Sequence, residues 1–385
     1  MFRFGPVTFF SGPFFSGESK NLRTSGESCA CAGQNFLSLL TIPYMPNPRI
    51  VIDPEPRTME LIFDAETRRR LEALGDLVIF DSAKRNDDEI SDALVDAEIL
   101  IGQTPLPKSR LERARKLRAV FNVEGNFLPN IDYDYCFARG IRVLVASPAF
   151  AVAVAEMALA FALDLARGIT AADRAFRRGE EVYGLESNRD CFVFTGCQAG
   201  IIGFGDLARA FRSLLQPFRC RVTAYDPWLP ERLLIQHDCV PASLDEVLST
   251  SDAVFVFASV TTENQGFLGA RELSLMKPGS IFVLVSRAAV VDFEALTDAL
   301  ERGRIKAATD VFPQEPFAAD QRLRNLPNVL LSAHRAGGMQ EAFLEIGCLV
   351  VSDLELILRG LAPVSCRVAQ PETVGRLRSM PVQRS

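Results

Sequence analysis

The sequence has few of the residues that most proton-transfer or metal sites are built from. Only two of its 385 residues are histidines, so few side chains could move a proton at neutral pH. None of its nine cysteines has the paired CxxC spacing that is typical of zinc or redox sites. We therefore expect reduced thiols, as in a cytoplasm, and no metal.

Excess positive charge and long uninterrupted apolar runs are also absent. The net charge of -6 gives no reason to expect nucleic acid or an anionic membrane as a partner. The most apolar stretch, 149–166, contains Glu156 and Asp164, which a lipid-exposed span would tolerate poorly. Near the N-terminus, glycines and prolines break up the Phe-rich pieces, so no signal-peptide core forms. We expect a cytoplasmic protein in which 149–166 is a buried, Ala-rich helix.

Short apolar runs alternate with amphipathic stretches from Arg49 onward. This repetition of strand and helix is typical of parallel sheets with right-handed crossovers. A first series of five predicted strands precedes the Ala-rich helix, at 50–53, 77–80, 98–102, 118–123 and 141–145. A second series of six follows it, at 198–202, 221–225, 253–258, 280–285, 306–309 and 328–332.

A glycine fingerprint lies between the first strand of the second series and the helix that follows. Gly203, Gly205 and Ala208 satisfy the pattern G-x-G-x-x-G/A. In this pattern the first glycine permits a tight turn and the second lets the backbone approach a pyrophosphate. Amides at the start of the helix, at Asp206 and Leu207, would face the phosphates. The sequence therefore predicts a dinucleotide site.

Asp226 ends the next predicted strand, 21 positions after Gly205. A carboxylate there would accept a hydrogen bond from an adenosine ribose hydroxyl and repel a 2′-phosphate, which favours NAD over NADP. Within its Asp-Pro pair Asp226 also suits a turn, and the two roles are compatible.

The fingerprint falls in the middle of the chain, so the nucleotide domain is predicted to be inserted into the other domain. The expected fold class is α/β, with two doubly wound parallel-sheet domains: a Rossmann NAD domain inserted into a flavodoxin-like substrate domain. The predicted segments are a loose N-terminal extension at 1–44, the substrate domain at 45–148, the NAD-binding domain at 149–333, a returning substrate-domain helix within 334–365, and a flexible tail at 366–385. Met45, just before the first periodic residues, is a candidate for the true start.

Three polar residues, Arg287, Glu315 and His334, each follow a strand of the second series. They should meet at one sheet edge, because parallel strands share their carboxyl edge and open α/β sheets bind ligands there. Arginine can hold a carboxylate, and histidine can exchange a proton with a carbonyl or hydroxyl oxygen while hydride passes to or from a nicotinamide. A glutamate beside the ring would favour the imidazolium. Taken singly, each residue also suits a surface or turn position, but together they predict acid/base chemistry.

A series of motifs extends from about Glu98 to Gly360. They are Arg118-Ala-Val-Phe-Asn-Val-Glu-Gly-Asn, Ala153-Val-Ala-Glu156, Gly200 to Ala208, Leu275-Met-Lys-Pro-Gly-Ser-Ile, Ser286-Arg287, Asp310-Val-Phe-Pro-Gln-Glu315-Pro, and His334 with Ala336-Gly337. As a set they resemble the D-isomer-specific 2-hydroxyacid dehydrogenase family. The combination is far more specific than any single motif.

The resemblance implies a role for each residue of the predicted site. Arg287 would hold the substrate carboxylate and keto oxygen, His334 would be the general acid/base, and Glu315 would be its partner. Backbone at Val123, Glu124 and Gly125 would also hold the substrate carboxylate. Asp310 would touch the nicotinamide side of NAD, and further cofactor contacts are implied for Ser259, Ser286 and Gly337. The family also implies a homodimer, built through the nucleotide domain with the helix that starts near Ala151.

Some positions depart from the family pattern. Ala288 stands where glycine is usual, Ala333 replaces a proline, and Phe257-Ala258-Ser259 stands where His-x-Pro is common. Glu124 brings a negative charge into a loop expected to meet an anionic substrate. Its side chain could point away or favour a substrate with a cationic or hydroxyl group, so the identity of the substrate is left open.

The predicted function is hydride transfer between NAD(H) and C2 of a small 2-hydroxy or 2-keto acid. Formate dehydrogenase is disfavoured because glutamine is expected there at position 315. The phosphoglycerate enzyme with a regulatory C-terminal domain is partly disfavoured by the short tail after Leu361. One alternative is an NAD(H)-sensing binding protein similar to the family's transcriptional corepressors, which keep the same three side chains. Another is a decayed enzyme that binds NADH without turnover.

Overall fold

A computed structural model of the chain describes residues 47–80 and 86–378. The predicted extension at 1–44, the candidate start at Met45 and the last part of the predicted tail lie outside these residues. Within them the chain forms two β-sheets with helices on their faces.

The strands are β1 Arg49–Asp53, β2 Asp76–Ile79, β3 Ile99–Gly102, β4 Ala119–Asn122, β5 Arg142–Val145, β6 Gln198–Ile202, β7 Arg221–Tyr225, β8 Val240–Pro241, β9 Ala253–Val256, β10 Ile281–Leu284, β11 Lys306–Thr309, β12 Val329–Leu331 and β13 Arg367–Val368. The α-helices are α1 Met59–Ile62, α2 Ala65–Glu72, α3 Asp87–Leu94, α4 Lys108–Arg113, α5 Tyr133–Arg139, α6 Ala151–Arg167, α7 Ile169–Arg178, α8 Asp206–Leu215, α9 Glu231–Gln236, α10 Leu244–Thr250, α11 Ala270–Leu275, α12 Phe293–Glu301, α13 Gln340–Leu358 and α14 Pro371–Val374.

The first sheet has the strand order β13-β5-β4-β3-β1-β2. Strands β1 to β5 pair in parallel, and β13 adds an antiparallel edge strand beside β5. The central strands β3 and β4 are completely buried, as expected for apolar runs covered by helices on both faces. The long helix α13, which follows the last strand of the second sheet, packs back on this sheet through its apolar face. The first sheet is therefore assembled from both ends of the described chain.

The second sheet is wholly parallel, with the order β12-β11-β10-β9-β6-β7-β8. The six predicted strands are present, and β8 is an additional seventh. Sequence patterning missed β8 because it contains only two residues, one of them a proline. The strand order reverses between β6 and β9, and ligands of open α/β sheets bind in the crevice beyond the carboxyl ends at such a point. The predicted fold class is confirmed.

Helix α6 is the predicted Ala-rich helix between the two sheets. Small side chains on its buried face, Ala155, Ala158 and Ala162, allow close packing against α8 and the second sheet. By length and composition alone the segment Ser147–Arg167 could cross a membrane, but 44% of its apolar window is buried inside the protein. We therefore interpret α6 as a packed helix of the second sheet.

The structure corrects the predicted flexible tail at 366–385 for residues 366–378. Strand β13 extends the first sheet, and further along the backbone reaches the second sheet, where the amide of Arg378 donates to the carbonyl of Val260 at 3.0 Å. The low apolar content of this segment suggested disorder. Its anchoring comes largely from backbone hydrogen bonds, which hydropathy does not reveal.

A buried carboxylate fixes the chain where this segment begins. Asp353 lies within α13 and is completely buried. It accepts hydrogen bonds from the amides of Val364, Ser365 and Cys366, with distances between 2.6 and 3.1 Å. The side chain thereby ties the turn after α13 to the helix and leads the chain into β13.

Replacing Asp353 by Ala should lower the free energy of unfolding by at least about 3 kcal/mol, because three amides lose a charged acceptor. Chemical denaturation followed by circular dichroism measures this change. Asp320→Ala, at an exposed position, is the control and should cost less than about 0.5 kcal/mol. Similar, small effects of the two substitutions would contradict the anchoring role.

Candidate active site

The glycine fingerprint forms the turn between β6 and α8. Gly203 has a φ of 84°, and a Cβ placed there would lie 2.5 Å from the Cα of Ala258, so the position admits only glycine. Gly205 caps α8, and a Cβ there would have no protein atom within 4 Å. The first turn of α8 begins with the amides of Asp206 and Leu207. This combination of open space and helix amides suits a pyrophosphate.

The side chain of Asp206 is held by residues of the first sheet. Its carboxylate accepts two hydrogen bonds from Arg367 of β13, at 2.7 and 2.8 Å, and one from the hydroxyl of Ser147 at 2.9 Å. This pairing with Asp206 raises the pKa of Arg367. The predicted cofactor contact at Asp206 is therefore limited to its backbone amide. Arg367 was not predicted, because it lies in the segment expected to be flexible.

Asp226 lies at the end of β7, beside the glycine turn. One carboxylate oxygen accepts from the amide of Phe204 at 2.8 Å, and the other accepts from the amides of Trp228 and Leu229. The residue thus forms the expected turn and also holds the fingerprint loop. Its contact with an adenosine ribose stays a prediction.

Arg287, Glu315 and His334 follow β10, β11 and β12, which are neighbours in the second sheet. The Nδ1 atom of His334 lies 2.7 Å from Oε2 of Glu315, and Oε1 of the same carboxylate accepts from the amide of Phe312. Both side chains of the pair are partly exposed. The arrangement is an oriented imidazole that solvent or substrate can reach.

His334 has a left-handed backbone, with a φ of 48°. This conformation costs a non-glycine residue about 1–3 kcal/mol and persists only where the surroundings impose it. Asp310, which is 1% exposed, imposes it here. Its carbonyl accepts from the amide of His334, and its two carboxylate oxygens accept from the amides of Arg335 and Ala336. Asp310 was predicted as a cofactor contact, and the structure gives it a positioning role for His334.

Arg287 enters the cleft between the two sheets. Its guanidinium donates to the carbonyl of Ser286 at 2.7 Å, and no other hydrogen bond to it occurs among the described residues. Burial lowers the pKa of Arg287, while the charges of Glu124 and Glu315 oppose that shift. Ser286 is itself buried, and within the described chain its hydroxyl has no hydrogen-bond partner. A carboxylate or carbonyl oxygen bound here would meet unsatisfied donors.

The predicted substrate loop faces this cleft from the first sheet. The side chain of Val123 is completely buried in the core, so only its backbone can contact a ligand. Glu124 forms an ion pair of 2.7 Å with Arg57, in the loop before α1. Burial raises the pKa of Glu124, and Arg57, Gln103 and Arg287 oppose that shift. Glu124 does not point away from the cleft, and its pairing with Arg57 could not be inferred from the sequence.

Phe150 packs at the junction between the two sheets. A Cβ added at Gly125 would lie 3.3 Å from its ring, and one added at Gly337 would lie 3.1 Å from it. Both glycines therefore line the junction, and their contacts with substrate and cofactor stay predictions. Ser259 is exposed after β9, and its carbonyl accepts from Asn264. It follows β9 at the carboxyl edge of the second sheet. In the described part of the chain it forms no hydrogen bond with Glu315 or His334.

One of the departures from the family pattern, Ala288, is accommodated without strain. Ala288 begins a turn of 3-10 helix, and its φ is not in the left-handed region, so glycine is not required there.

Asn122, at the carboxyl end of β4, was missed by the sequence prediction. It is 1% exposed and accepts from the amide of Glu124 at 3.0 Å. A polar residue at a strand end was the signal that could have identified it.

The chain resembles known proteins in both sequence and structure. Residues 159–336 match the sequence model of the family described as "D-isomer specific 2-hydroxyacid dehydrogenase, NAD binding domain". A phosphoglycerate oxidoreductase from Rhizobium etli, whose crystal structure is known, is 44% identical in sequence to this chain. The two structures match with a TM-score of 0.76, and the match covers 85% of this chain and 100% of the other.

Two curated relatives show the range of names among similar sequences. The D-3-phosphoglycerate dehydrogenase of Archaeoglobus fulgidus is 30% identical over 281 residues, which is 72% of this chain and 52% of the relative. The hydroxypyruvate reductase of Blautia hydrogenotrophica is 28% identical over 305 residues, which is 77% of this chain and 92% of the relative. The chain thus spans about half the length of the first relative and nearly all of the second.

The two fingerprint glycines should respond differently to alanine. Gly203→Ala should lower the melting temperature, because the new methyl group meets the backbone of Ala258 and the φ is left-handed. Gly205→Ala should leave the melting temperature unchanged but weaken NADH binding at least about tenfold, because the methyl group occupies the space for the pyrophosphate. Differential scanning fluorimetry and NADH fluorescence titration measure the two effects. Unchanged NADH affinity in Gly205→Ala would contradict the prediction that the pyrophosphate binds at Gly205.

Proposed function

The chain belongs to the D-isomer specific 2-hydroxyacid dehydrogenase family, as its motifs predicted, and on this premise we propose that it transfers hydride between NAD(H) and C2 of a small 2-hydroxy or 2-keto acid. The observation that carries the proposal is the 2.7 Å contact between His334 and Glu315. This pair lies at the same carboxyl edge of the second sheet as Arg287 and the fingerprint.

In the reduction direction His334 is the general acid. Glu315 occupies its Nδ1 atom, so the proton leaves from Nε2 to the developing alkoxide of the substrate. The contact with Glu315 fixes the plane of the ring. Arg287 holds the substrate carboxylate and polarises the keto oxygen. In the oxidation direction the neutral imidazole takes the hydroxyl proton back.

The residues of the second sheet fit a bound dinucleotide. We propose that the pyrophosphate binds in the open space at Gly205 and accepts from the amides of Asp206 and Leu207, and that Asp226 accepts from the ribose; the support is the open space at Gly205 and the start of α8 there. Bound NADH supplies the hydride. The carboxylate of Asp226 disfavours a 2′-phosphate, so NAD is the cofactor proposed. Ser259, Ser286, Asp310 and Gly337 complete the proposed cofactor side of the cleft.

A short acid is the substrate class proposed, because relatives are named for phosphoglycerate and hydroxypyruvate. The backbone at Val123, Glu124 and Gly125 approaches the substrate carboxylate from the first sheet. The proposal also places the protein in the cytoplasm, with neither nucleic acid nor membrane as a partner, in keeping with its net charge of -6.

The proposal includes a homodimer formed through the second sheet. Large apolar side chains are exposed in one region of that unit: Ile169 at 56%, Phe176 at 62%, Val182 at 61%, Tyr183 at 78%, Leu185 at 84% and Val193 at 72%. Val152, on the outer face of α6, is 61% exposed. An apolar surface of this kind is typical of a subunit interface.

Replacing His334 by Ala should lower kcat about 10²–10⁴-fold, because the proton donor is lost. NADH absorbance followed with a panel of 2-keto acids measures turnover, and NADH fluorescence titration should show nearly unchanged cofactor affinity. Full activity of the variant would contradict the assignment of His334. A wild-type protein that binds NADH but reduces no acid of the panel would instead favour the sensing or decayed alternatives.

A further inference from the structure

The substrate cleft contains a second arginine whose charge is already neutralised by the protein. Arg57 and Glu124 form an ion pair of 2.7 Å, and only 19% and 17% of their side chains are exposed. The guanidinium of Arg57 also lies over the ring of Phe343, 4.6 Å from its centroid. The pair is therefore enclosed, unlike an ordinary surface ion pair.

Three separate segments hold this pair in place. The backbone of Glu124 is fixed on both sides, because its amide donates to Asn122 at 3.0 Å and its carbonyl accepts from the amide of Ala146 at 3.1 Å. Arg57 follows β1, Glu124 follows β4, and Phe343 belongs to α13. Because β1 and β4 are parallel strands of the first sheet, both partners lie at its carboxyl edge, facing the cleft.

Of Arg57 and Arg287, the two arginines assigned to the cleft in the described part of the chain, only Arg287 is left without a carboxylate partner. Arg57 is paired with Glu124, and Glu315 is paired with His334. Arg287 has no carboxylate within ion-pair distance among the described residues, although the charge of Glu124 acts on it. One available arginine matches one substrate carboxylate. A second negative group would meet an arginine that is already neutralised and would lie beside the carboxylate of Glu124.

Resting on the proposed function, we propose that the Arg57–Glu124 pair selects substrate charge: the cleft accepts 2-hydroxy and 2-keto acids with a neutral side chain and rejects those that carry a phosphate or a second carboxylate. A hydroxyl on the side chain is compatible, because the Glu124 carboxylate can accept its proton in a hydrogen bond. On this proposal the chain differs from the relatives named for phosphoglycerate in preferring an acid without a phosphate.

A matched pair of substrates tests the selection directly. Oxaloacetate and 4-methyl-2-oxopentanoate have side chains of nearly the same shape, but only the first carries a second negative charge. The wild-type protein should have the higher kcat/KM with 4-methyl-2-oxopentanoate. Glu124→Gln should raise the ratio of kcat/KM for oxaloacetate over 4-methyl-2-oxopentanoate by at least about tenfold, because it removes a like charge and releases Arg57.

Two further variants separate charge from shape. Arg57→Gln should lower the same ratio when it is measured at alkaline pH, where Glu124 is ionised without a partner although the loss of Arg57 raises its pKa further. The double substitution should return the ratio close to the wild-type value, which a packing effect would not do. Glu98→Gln is the matched control, because Glu98 pairs with Arg118 in the same sheet at 3.1 Å but at the amino end of β3. It should leave the ratio unchanged.

The two proposals fail in different ways. If the wild-type protein reduces one acid but Glu124→Gln leaves the ratio unchanged, or if the wild-type protein prefers oxaloacetate, the charge selection is overturned and the proposed function stands. If no acid is reduced, the proposed function fails, and quenching of bound NADH fluorescence by each acid still measures the selection as a ratio of dissociation constants. If Glu124→Gln melts at a lower temperature than the wild-type protein, the test remains decisive. Arg57→Gln is expected to change the kcat/KM ratio in the opposite direction, which a general loss of stability would not do.

Discussion

The site depends on one buried carboxylate, that of Asp310, and on the backbone turn that it imposes after β12. Hydrogen bonds from the amides of Arg335 and Ala336 to this charge are each worth about 1.5–3 kcal/mol, enough to offset the left-handed conformation of His334. Because of that turn, the imidazole meets Glu315 instead of continuing along the strand. The proposed proton transfer rests on this geometry.

A second set of contacts joins the two sheets around the cleft. Asp206, the first residue of the nucleotide helix α8, binds Arg367 and Ser147 of the first-sheet side. Phe150 fills the junction between Gly125 and Gly337. The start of α8, the loop at Gly125 and the loop at Gly337 are thus joined by short contacts. A substrate held by Arg287 would consequently lie between the acid/base pair and the proposed nicotinamide side.

The parts of the site that follow from strand periodicity could be predicted from the sequence. Arg287, Glu315 and His334 were placed on one edge because parallel strands end together, and Gly203 was placed in a turn that its φ of 84° now explains. The parts that depend on distant partners could not be predicted. In the sequence Asp353 is one polar residue within an apolar helix. In the fold its carboxylate accepts from three backbone amides and so fixes the segment that leads into β13.

The orientation of Glu124 shows the same limit. Its sequence context left two directions open, and the choice is made by Arg57, which follows a different strand, and by Phe343, which lies on a returning helix. Strand β8 was missed for another reason, because two residues carry no periodicity. Local patterns therefore predicted the sheets and their edges, whereas side chains that bridge separate segments were visible only in the folded chain.

The central claim is that the site transfers hydride to C2 of a 2-keto acid. The most direct test is a reaction with NADH that carries deuterium at the transferable position of C4, followed by mass spectrometry and chiral analysis of the product. We expect a D-2-hydroxy acid with one deuterium at C2. Product without deuterium at C2, or oxidation of NADH with no 2-hydroxy acid formed, would contradict it.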